Sequence, residues 1–262
     1  MTRSISIPLD PDKIKAGLAT KIVGKEVIVY STTASTNEVA VEYARGGNKN
    51  NGLVVFSEYQ IAGKGRRGNR WLSEAGESIL CSILLTNWPG AAGLLTLTAA
   101  VAAAETIGKC GPNEAKIKWP NDIVLASKKI AGILLESINN NAYILGIGIN
   151  CHQGKRSFPK ELCEIATSID IETSGCCDRV SLARRLLTSI DQWLVVARDS
   201  SQEIIDRWRQ LSTLLGHQIA IEFNGQQFRG NCIGIDPAKG LILQLERGGV
   251  RMFDAVHTTI VK

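Results

Sequence analysis

Apolar positions recur along this chain with two different periods, and the change of period divides it. Between residues 180 and 198, Leu182, Leu186, Ile190 and Trp193 fall on one side of a 3.6-residue wheel, which predicts a helix, with a shorter one over residues 203–211. Residues 90–108 are mostly Ala and Thr, with Leu94, Leu97, Val101 and Ile107 on one face, so a buried amphipathic helix is expected. Ser35-Thr36-Asn37-Glu38 has the form of a capping box opening a helix that Gly46-Gly47 closes. Residues 1–34 read as a lead-in with a short helix within residues 11–20. Residues 53–59 and 78–85 read as strands. Four more strands come in close succession at residues 116–119, 123–126, 129–137 and 142–150. They turn at Pro120-Asn121-Asp122, Ser127-Lys128 and Asn139-Asn140-Asn141. Turns this short join antiparallel neighbours, because a parallel pair needs a crossover of about a dozen residues or more. The sheet is therefore not doubly wound. Residues 151–178 are polar, contain Gly154, Pro159 and Gly175, and read as a loop region able to move.

From Gly216 the period becomes two. Residues 218–223 and 226–235 flank Asn224-Gly225, a hairpin signal. Asp236-Pro237 through Gly240 turns into residues 241–245, and Gly248-Gly249 into the last strands. Five short strands in about 45 residues point to a small barrel. The expected organisation is a larger domain over residues 1–213 and a separate module over residues 214–262.

Composition narrows this picture without changing it. The 262 residues are 44% hydrophobic and 21% charged, which suits one large domain, or one domain plus a small module. The net charge of +5 is too mild to imply nucleic acid by itself. The seven cysteines are odd in number and contain no Cys-x-x-Cys pair; Cys176 and Cys177 are adjacent, poor geometry for a structural disulfide. They read as reduced thiols of a cytoplasmic protein. No apolar core of signal-peptide length opens the chain, and the helix at residues 90–108 suits burial better than a membrane span. The three histidines show no metal-ligand spacing, so no protein-bound metal is expected.

The chemistry concentrates at residues 63–71, Gly-Lys-Gly-Arg-Arg-Gly-Asn-Arg-Trp. Glycine lets backbone N–H groups converge on an anion, and Lys64, Arg66, Arg67 and Arg70 surround the same spot. Gly63, Gly65 and Gly68 spell G-x-G-x-x-G. The dinucleotide reading of that motif requires a helix straight afterwards, inside a βαβ unit. Residues 69–76 are turn-like instead, and the downstream strands are antiparallel. The remaining alternatives are a solvated basic loop and a polyphosphate cradle. The next segment favours the cradle. Lys118-Trp119-Pro120-Asn121-Asp122 sets a cation, an amide and a carboxylate at a strand end, and Lys129 heads an apolar strand, where desolvation is costly unless an anion accompanies it. Gly132 leaves room beside it for a ligand ring. Cys151-His152 invites a nucleophile reading, but nothing in the sequence orients the pair.

Five segments carry a family resemblance: Ser35-Thr36-Asn37, Gln60-x-Ala62-Gly63-Lys64-Gly65-Arg66-Arg67-Gly68, Lys118-Trp119-Pro120-Asn121-Asp122, Lys129-x-Ala131-Gly132-Ile133-Leu134 and Gly146-x-Gly148-Ile149-Asn150. In this order and spacing the chain resembles the biotin protein ligases from about residue 27 to its end. The resemblance implies an α+β fold: a mixed sheet with helices related to class II aminoacyl-tRNA synthetases, plus a C-terminal SH3-like barrel. It also implies the reaction. Biotin and MgATP give biotinyl-5′-AMP and pyrophosphate, and the biotinyl group then passes to a lysine of a biotin carboxyl carrier domain. Under the same resemblance Lys129, Arg66 and Asp122 are catalytic. Lys129 bridges the biotin carboxylate and the α-phosphate, Arg66 holds the carboxylate and then the acyl phosphate, and Asp122 serves as general base or orients the acceptor amine. Biotin falls to Ser35, Thr36, Asn37, Gln60, Gly63, Lys64, Gly65, Arg66, Lys129 and Gly132. The nucleotide falls to Arg66, Arg67, Gly68, Trp71, Lys118, Asn121 and Asn150. The glycine loop is expected to fold over biotin and the adenylate as they arrive.

Lys64 and Asn69 depart from the arginine and the second basic residue common at those places, and residues 252–257 lack a Gly-Glu that many members carry. Two rivals are kept. One is a lipoate ligase or octanoyl transferase of the same fold. The other is a DNA-binding repressor, disfavoured because about 34 residues before Ser35 are too few for a winged helix and linker. No nucleic acid and no membrane are expected as partners, and the protein is expected to be a monomer or homodimer.

Overall fold

The computed structural model describes residues 7–139 and 141–261; Asn140, in one of the expected turns, lies outside them. Twelve strands and six α-helices run in the order α1 (Pro11–Lys15), β1 (Val27–Tyr30), α2 (Thr36–Ala44), β2 (Val54–Ser57), β3 (Ser78–Thr86), α3 (Ala92–Gly108), β4 (Lys116–Lys118), β5 (Asp122–Leu125), β6 (Lys128–Asn139), β7 (Ala142–Asn150), α4 (Ile169–Thr173), α5 (Arg179–Asp199), α6 (Ser201–Leu211), β8 (Gln218–Phe223), β9 (Gln226–Asp236), β10 (Gly240–Leu245), β11 (Val250–Phe253) and β12 (Thr258–Val261).

A seven-stranded sheet has the order β1-β2-β3-β7-β6-β5-β4. Only β1 and β2 are parallel, and the other neighbours are antiparallel, as the tight turns require. The period-two alternation of the strands sorts their side chains between two faces. Val54, Phe56, Ile83, Leu85 and Leu145 point to the large core that includes α3 and α5. Leu53, Val55, Leu84 and Ile144 point to the opposite face and meet Ala40 of α2. The short α2 covers only part of that second face, and the uncovered part holds the site.

Several local readings are corrected. Ser35 occupies the N-cap position of α2, but its side chain makes no capping bond. The helix ends at Ala44, and Gly46-Gly47 leads into a 3₁₀ turn, Gly47–Asn50. The β5–β6 turn sits at Ala126-Ser127 (φ 48° and 66°), a left-handed pair that lacks the usual glycine. Helix α3 is buried on nearly every side, because α5 and α6 cover the face the sheet leaves open. Strand β1, within the expected lead-in, was not anticipated. Residues 151–178 are not uniformly loop: they include α4, whose N-cap Ser168 accepts from the amide of Ile171.

The second sheet, order β11-β10-β9-β8-β12, is antiparallel throughout, with Asn224-Gly225 in the left-handed turn between β8 and β9. Ile221, Cys232, Leu241, Leu243 and Phe253 from this sheet join the main core, so the apolar interior continues across residues 213 and 214. Among the described residues no helix is long and apolar enough to cross a membrane.

Candidate active site

A cavity of about 320 Å³ opens on the α2 face of the seven-stranded sheet, within the size range of small-molecule sites. Strand register builds its floor. Gly132 pairs with Gly148 across β6 and β7, while Leu80 and Ser82 of β3 pair with Gly148 and Gly146. Side chains at these positions would fill the space. A Cβ on Gly146 would overlap the Asn37 amide, and one on Gly148 would lie 2.6 Å from the Trp71 ring.

One end of the cavity is an amide and hydroxyl cluster. Gln60 Oε1 accepts from the Thr36 amide at 2.8 Å and from the Thr36 hydroxyl at 3.0 Å. Ser82 Oγ lies 2.7 Å from Thr36 Oγ1 and 2.5 Å from Asn37 Oδ1, with one proton to share. The Asn37 amide donates to Glu136 Oε2. Ser35, Thr36 and Asn37 are all buried, and this network fixes the orientation of Thr36 and Asn37.

The other end is cationic. Lys129 Nζ lies 2.6 Å from Asp122 Oδ1, which supplies the anion expected beside a lysine at the head of an apolar strand. Arg66 donates to Asn121 Oδ1 at 3.2 Å and to the carbonyl of Ala255 at 2.5 Å. Asn121 is itself fixed by donating to Ile133 O at 2.8 Å. Burial and the neighbouring Arg67 lower the Arg66 pKa, and Asp122 opposes them. A guanidinium so placed keeps its proton. Arg67 is left-handed (φ 55°) and donates to Val256 O, Thr258 O and Thr259 Oγ1. Lys118 is exposed at the cavity edge without an ion-pair partner among the described residues.

The glycine loop is a closed hairpin. Gly65 N donates to Asn69 O at 2.7 Å, Trp71 N to Gly63 O at 3.0 Å, and Lys64 bridges Arg70. Lys64 pairs with Glu38 at 3.0 Å. The next element after the loop is strand β3, consistent with rejecting the dinucleotide reading. The space beside Gly132 is taken by Trp71, whose ring a Gly132 Cβ would approach to 3.0 Å. Lys129 Nζ stands 5.7 Å from that ring's centre, and the indole Nε1 is buried without a partner.

The fold thus brings Ser35, Thr36, Asn37, Gln60, Lys64, Gly65, Arg66, Arg67, Trp71, Lys118, Asn121, Asp122, Lys129 and Gly132 to one cavity. Gly63 and Gly68 line a second hollow beside the loop, with Glu38 and Glu136. Asn150 lies in an adjoining cavity that shares Gln60, Asn69, Arg70, Trp71, Asp122 and Lys129 with the first, so these side chains form the partition. Sequence reading missed Ser82, Glu136, Gly146, Gly148 and Thr258-Thr259-Ile260, the last being the contribution of the second sheet to the cavity wall. The glycines did stand in a quoted motif; Thr258 to Ile260 carry no local signal.

Residues 29–153 match the model of the Biotin/lipoate A/B protein ligase family. The chain is 30% identical over 262 aligned residues to the biotin–[acetyl-CoA-carboxylase] ligase of Mycobacterium tuberculosis, covering 95% of this chain and 96% of that protein. The chain belongs to the biotin/lipoate protein ligase family. It is also 30% identical to the bifunctional ligase/repressor BirA of Bacillus subtilis, over 94% of this chain and 78% of that one. Its fold matches the biotin protein ligase from Aquifex aeolicus in complex with biotin and ATP, with a TM-score of 0.79 at 25% identity, covering 91% of this chain and 99% of that one.

Cys151 and His152 differ from expectation in one respect: Asp170 does orient His152, with Oδ2 2.8 Å from Nδ1. Cys151 is nevertheless fully buried, and burial pushes its thiol well above the usual range, so this ligase-family chain gains no nucleophile there. The same histidine and aspartate approach Cys176, and the three ligating atoms lie within 4.8 Å of one another. Spacing along the chain did not reveal that group.

Proposed function

We propose that the protein is a biotin–[acetyl-CoA-carboxylase] ligase. Biotin and MgATP form biotinyl-5′-AMP and pyrophosphate, and the biotinyl group then passes to the lysine of a biotin carboxyl carrier domain. The observation that carries this reading is a single cavity with an amide-and-hydroxyl end and a cationic end. A ureido ring needs donors and acceptors without charge; Ser35, Thr36, Asn37 and Gln60 supply them, above the floor at Gly132. A carboxylate attacking a phosphate needs positive charge, since two like unit charges 4 Å apart repel by about 4 kcal/mol at an effective dielectric of ~20. Lys129, Arg66, Arg67 and Lys118 stand at that end, and Gly63, Lys64, Gly65 and Gly68 give the loop that carries two of them.

In the first step a biotin carboxylate oxygen forms a bond to the α-phosphorus, and pyrophosphate leaves with the bonding pair. Lys129 bridges the two reacting anions, and Arg66 follows the carboxylate oxygen into the mixed anhydride. Arg67 and Lys118 face the nucleotide phosphates, with Trp71, Asn121 and Asn150 around the rest of the nucleotide. Mg²⁺ enters as part of the nucleotide substrate and supplies further charge neutralisation. In the second step the acceptor amine attacks the carbonyl carbon and AMP leaves. Once Lys129 is held by substrate oxygens, Asp122 is released from its 2.6 Å pair and takes the ammonium proton.

The second sheet, residues 214–262, is read as the SH3-like barrel beside a catalytic domain of residues 1–213. None of the seven cysteines is in a disulfide, which supports a cytoplasmic setting. Isotope exchange between pyrophosphate and ATP tests the assignment. Exchange that requires biotin is expected, and exchange stimulated by lipoate instead overturns it in favour of the lipoate rival.

A further inference from the structure

We infer that His152, Asp170 and Cys176 form a site for a thiophilic divalent cation of the zinc type, separate from the ligase cavity. Their ligating atoms lie within 4.8 Å of one another, and none of the three side chains lines either cavity described above. Donors bound to one tetrahedral zinc at about 2.0–2.3 Å sit roughly 3.5 Å apart, so small rotations close the set.

The backbone presents these donors from three points that are lashed together. His152 N donates to Glu77 O at 2.9 Å, fixing the histidine at the end of β7. Asp170 N donates to Cys151 O at 3.0 Å, which anchors the first turn of α4 to the same strand end. The Cys177 amide donates to Asp170 Oδ1 at 2.7 Å, so the residue after Cys176 is tied to the carboxylate. That bond occupies one carboxylate oxygen and leaves Oδ2 facing the histidine. The imidazole and carboxylate are mostly shielded, with side-chain exposures of 14% and 23%, while Cys176 lies exposed beside them.

An imidazole nitrogen, a thiolate and a carboxylate are the zinc donor set, and a thiolate disfavours magnesium or calcium. The bond made is a coordinate bond from each donor; Cys176 gives up its thiol proton to solvent, and water fills the fourth position. Bound metal clips residues 166–178 to the end of β7, next to Asn150, whose amide already donates to Thr167 O at 2.9 Å.

The test uses the reduced, chelator-stripped full chain titrated with Zn²⁺ against a chromophoric chelator, and with Co²⁺ as a spectroscopic probe. Wild type is expected to take up one equivalent and to give a thiolate-to-cobalt charge-transfer band. Cys176→Ser should abolish that band, and Cys176→Ser and His152→Gln should each weaken binding by about 10-fold or more. Circular dichroism checks that both variants are folded, and the exposed Cys176 makes its variant the safer of the two. No zinc uptake by wild type overturns the site, as does uptake that both variants retain, which would assign the metal to other cysteines. Biotin-dependent pyrophosphate exchange by the stripped protein is expected either way, so failure of this site leaves the ligase reading standing.

Discussion

Lys129 and Asp122 hold each other at 2.6 Å where two cavities meet, and the proposed mechanism assigns them to different steps. Both side chains are partly exposed, so their ion pair contributes little to folding. Lys129→Ala should therefore leave the melting temperature nearly unchanged and slow adenylate formation by about 10²–10³-fold, the usual cost of losing one preorganised charge donor. Biotin-dependent pyrophosphate exchange measures it, and wild-type exchange removes Lys129 from the chemistry. Asp122→Asn should act later. Transfer from preformed adenylate should fall by about 10²-fold, with a smaller effect on exchange. Equal losses in both steps would mean that Asp122 only positions Lys129. Gly148 is a third residue with one function. Its missing Cβ leaves the space where Trp71 lies, and Gly148→Ala would bring a methyl group to 2.6 Å from the indole. Overpacking of this kind costs about 1–3 kcal/mol. The expected result is a shifted Trp71 fluorescence and a raised KM for biotin, while an unchanged KM would show that the indole can move without disturbing the ligand.

At the scale of elements, the glycine loop carries the prediction with the clearest readout. It is closed by its own hydrogen bonds, and its arginines reach carbonyls of residues 255–258. Lys64, Arg66, Arg67 and Arg70 are trypsin sites on one short segment. Biotin with ATP should protect that segment from cleavage by at least roughly tenfold, because those cations become engaged and local opening is suppressed. Equal cleavage with and without ligands refutes closure over the adenylate. The same scale shows why the sequence was readable in some places and opaque in others. The hairpin between β8 and β9 was legible because Asn224-Gly225 meets a left-handed turn with the residues that turn prefers. The β5–β6 hairpin was displaced by one residue because Ala126-Ser127 takes the same conformation without such a signal. Strand β1 escaped notice because its place beside β2 comes from a parallel, long-range pairing. Helix α3 was found from its composition, but its all-round burial depends on α5 and α6 packing over it, which no local period records.

The whole molecule explains a part of the cavity wall for which the sequence carries no local signal. Motif residues from α2, the loop, β4–β6 and β7 were identifiable one by one, since each needs a particular side chain at a particular spacing. Thr258, Thr259 and Ile260 reach the cavity only because the second sheet is held against the first. Beyond the shared core, two contacts hold that sheet in place. At one, Arg66 and Arg67 donate to carbonyls of residues 255–258. At the other, Gly93 in the first turn of α3 lies so close to the Pro237 carbonyl that any Cβ would overlap it. A shift of the β9–β10 turn at Pro237 must move a continuous core that includes Leu241 and Phe253, and with it the carbonyl acceptors of the arginines. Gly93→Ala should therefore lower stability by about 1–3 kcal/mol, read as a reduced melting temperature, although the residue is outside the cavity. It should also speed the release of biotinyl-5′-AMP from the purified protein. Arg67→Ala is the comparison: it removes hydrogen bonds to the second sheet without overpacking the core, so it should lower the melting temperature less than Gly93→Ala and yet release the adenylate faster. If Gly93→Ala lowers the melting temperature but retains adenylate as wild type does, the second sheet supports the fold without gating the ligand, and the cavity belongs to the first sheet alone.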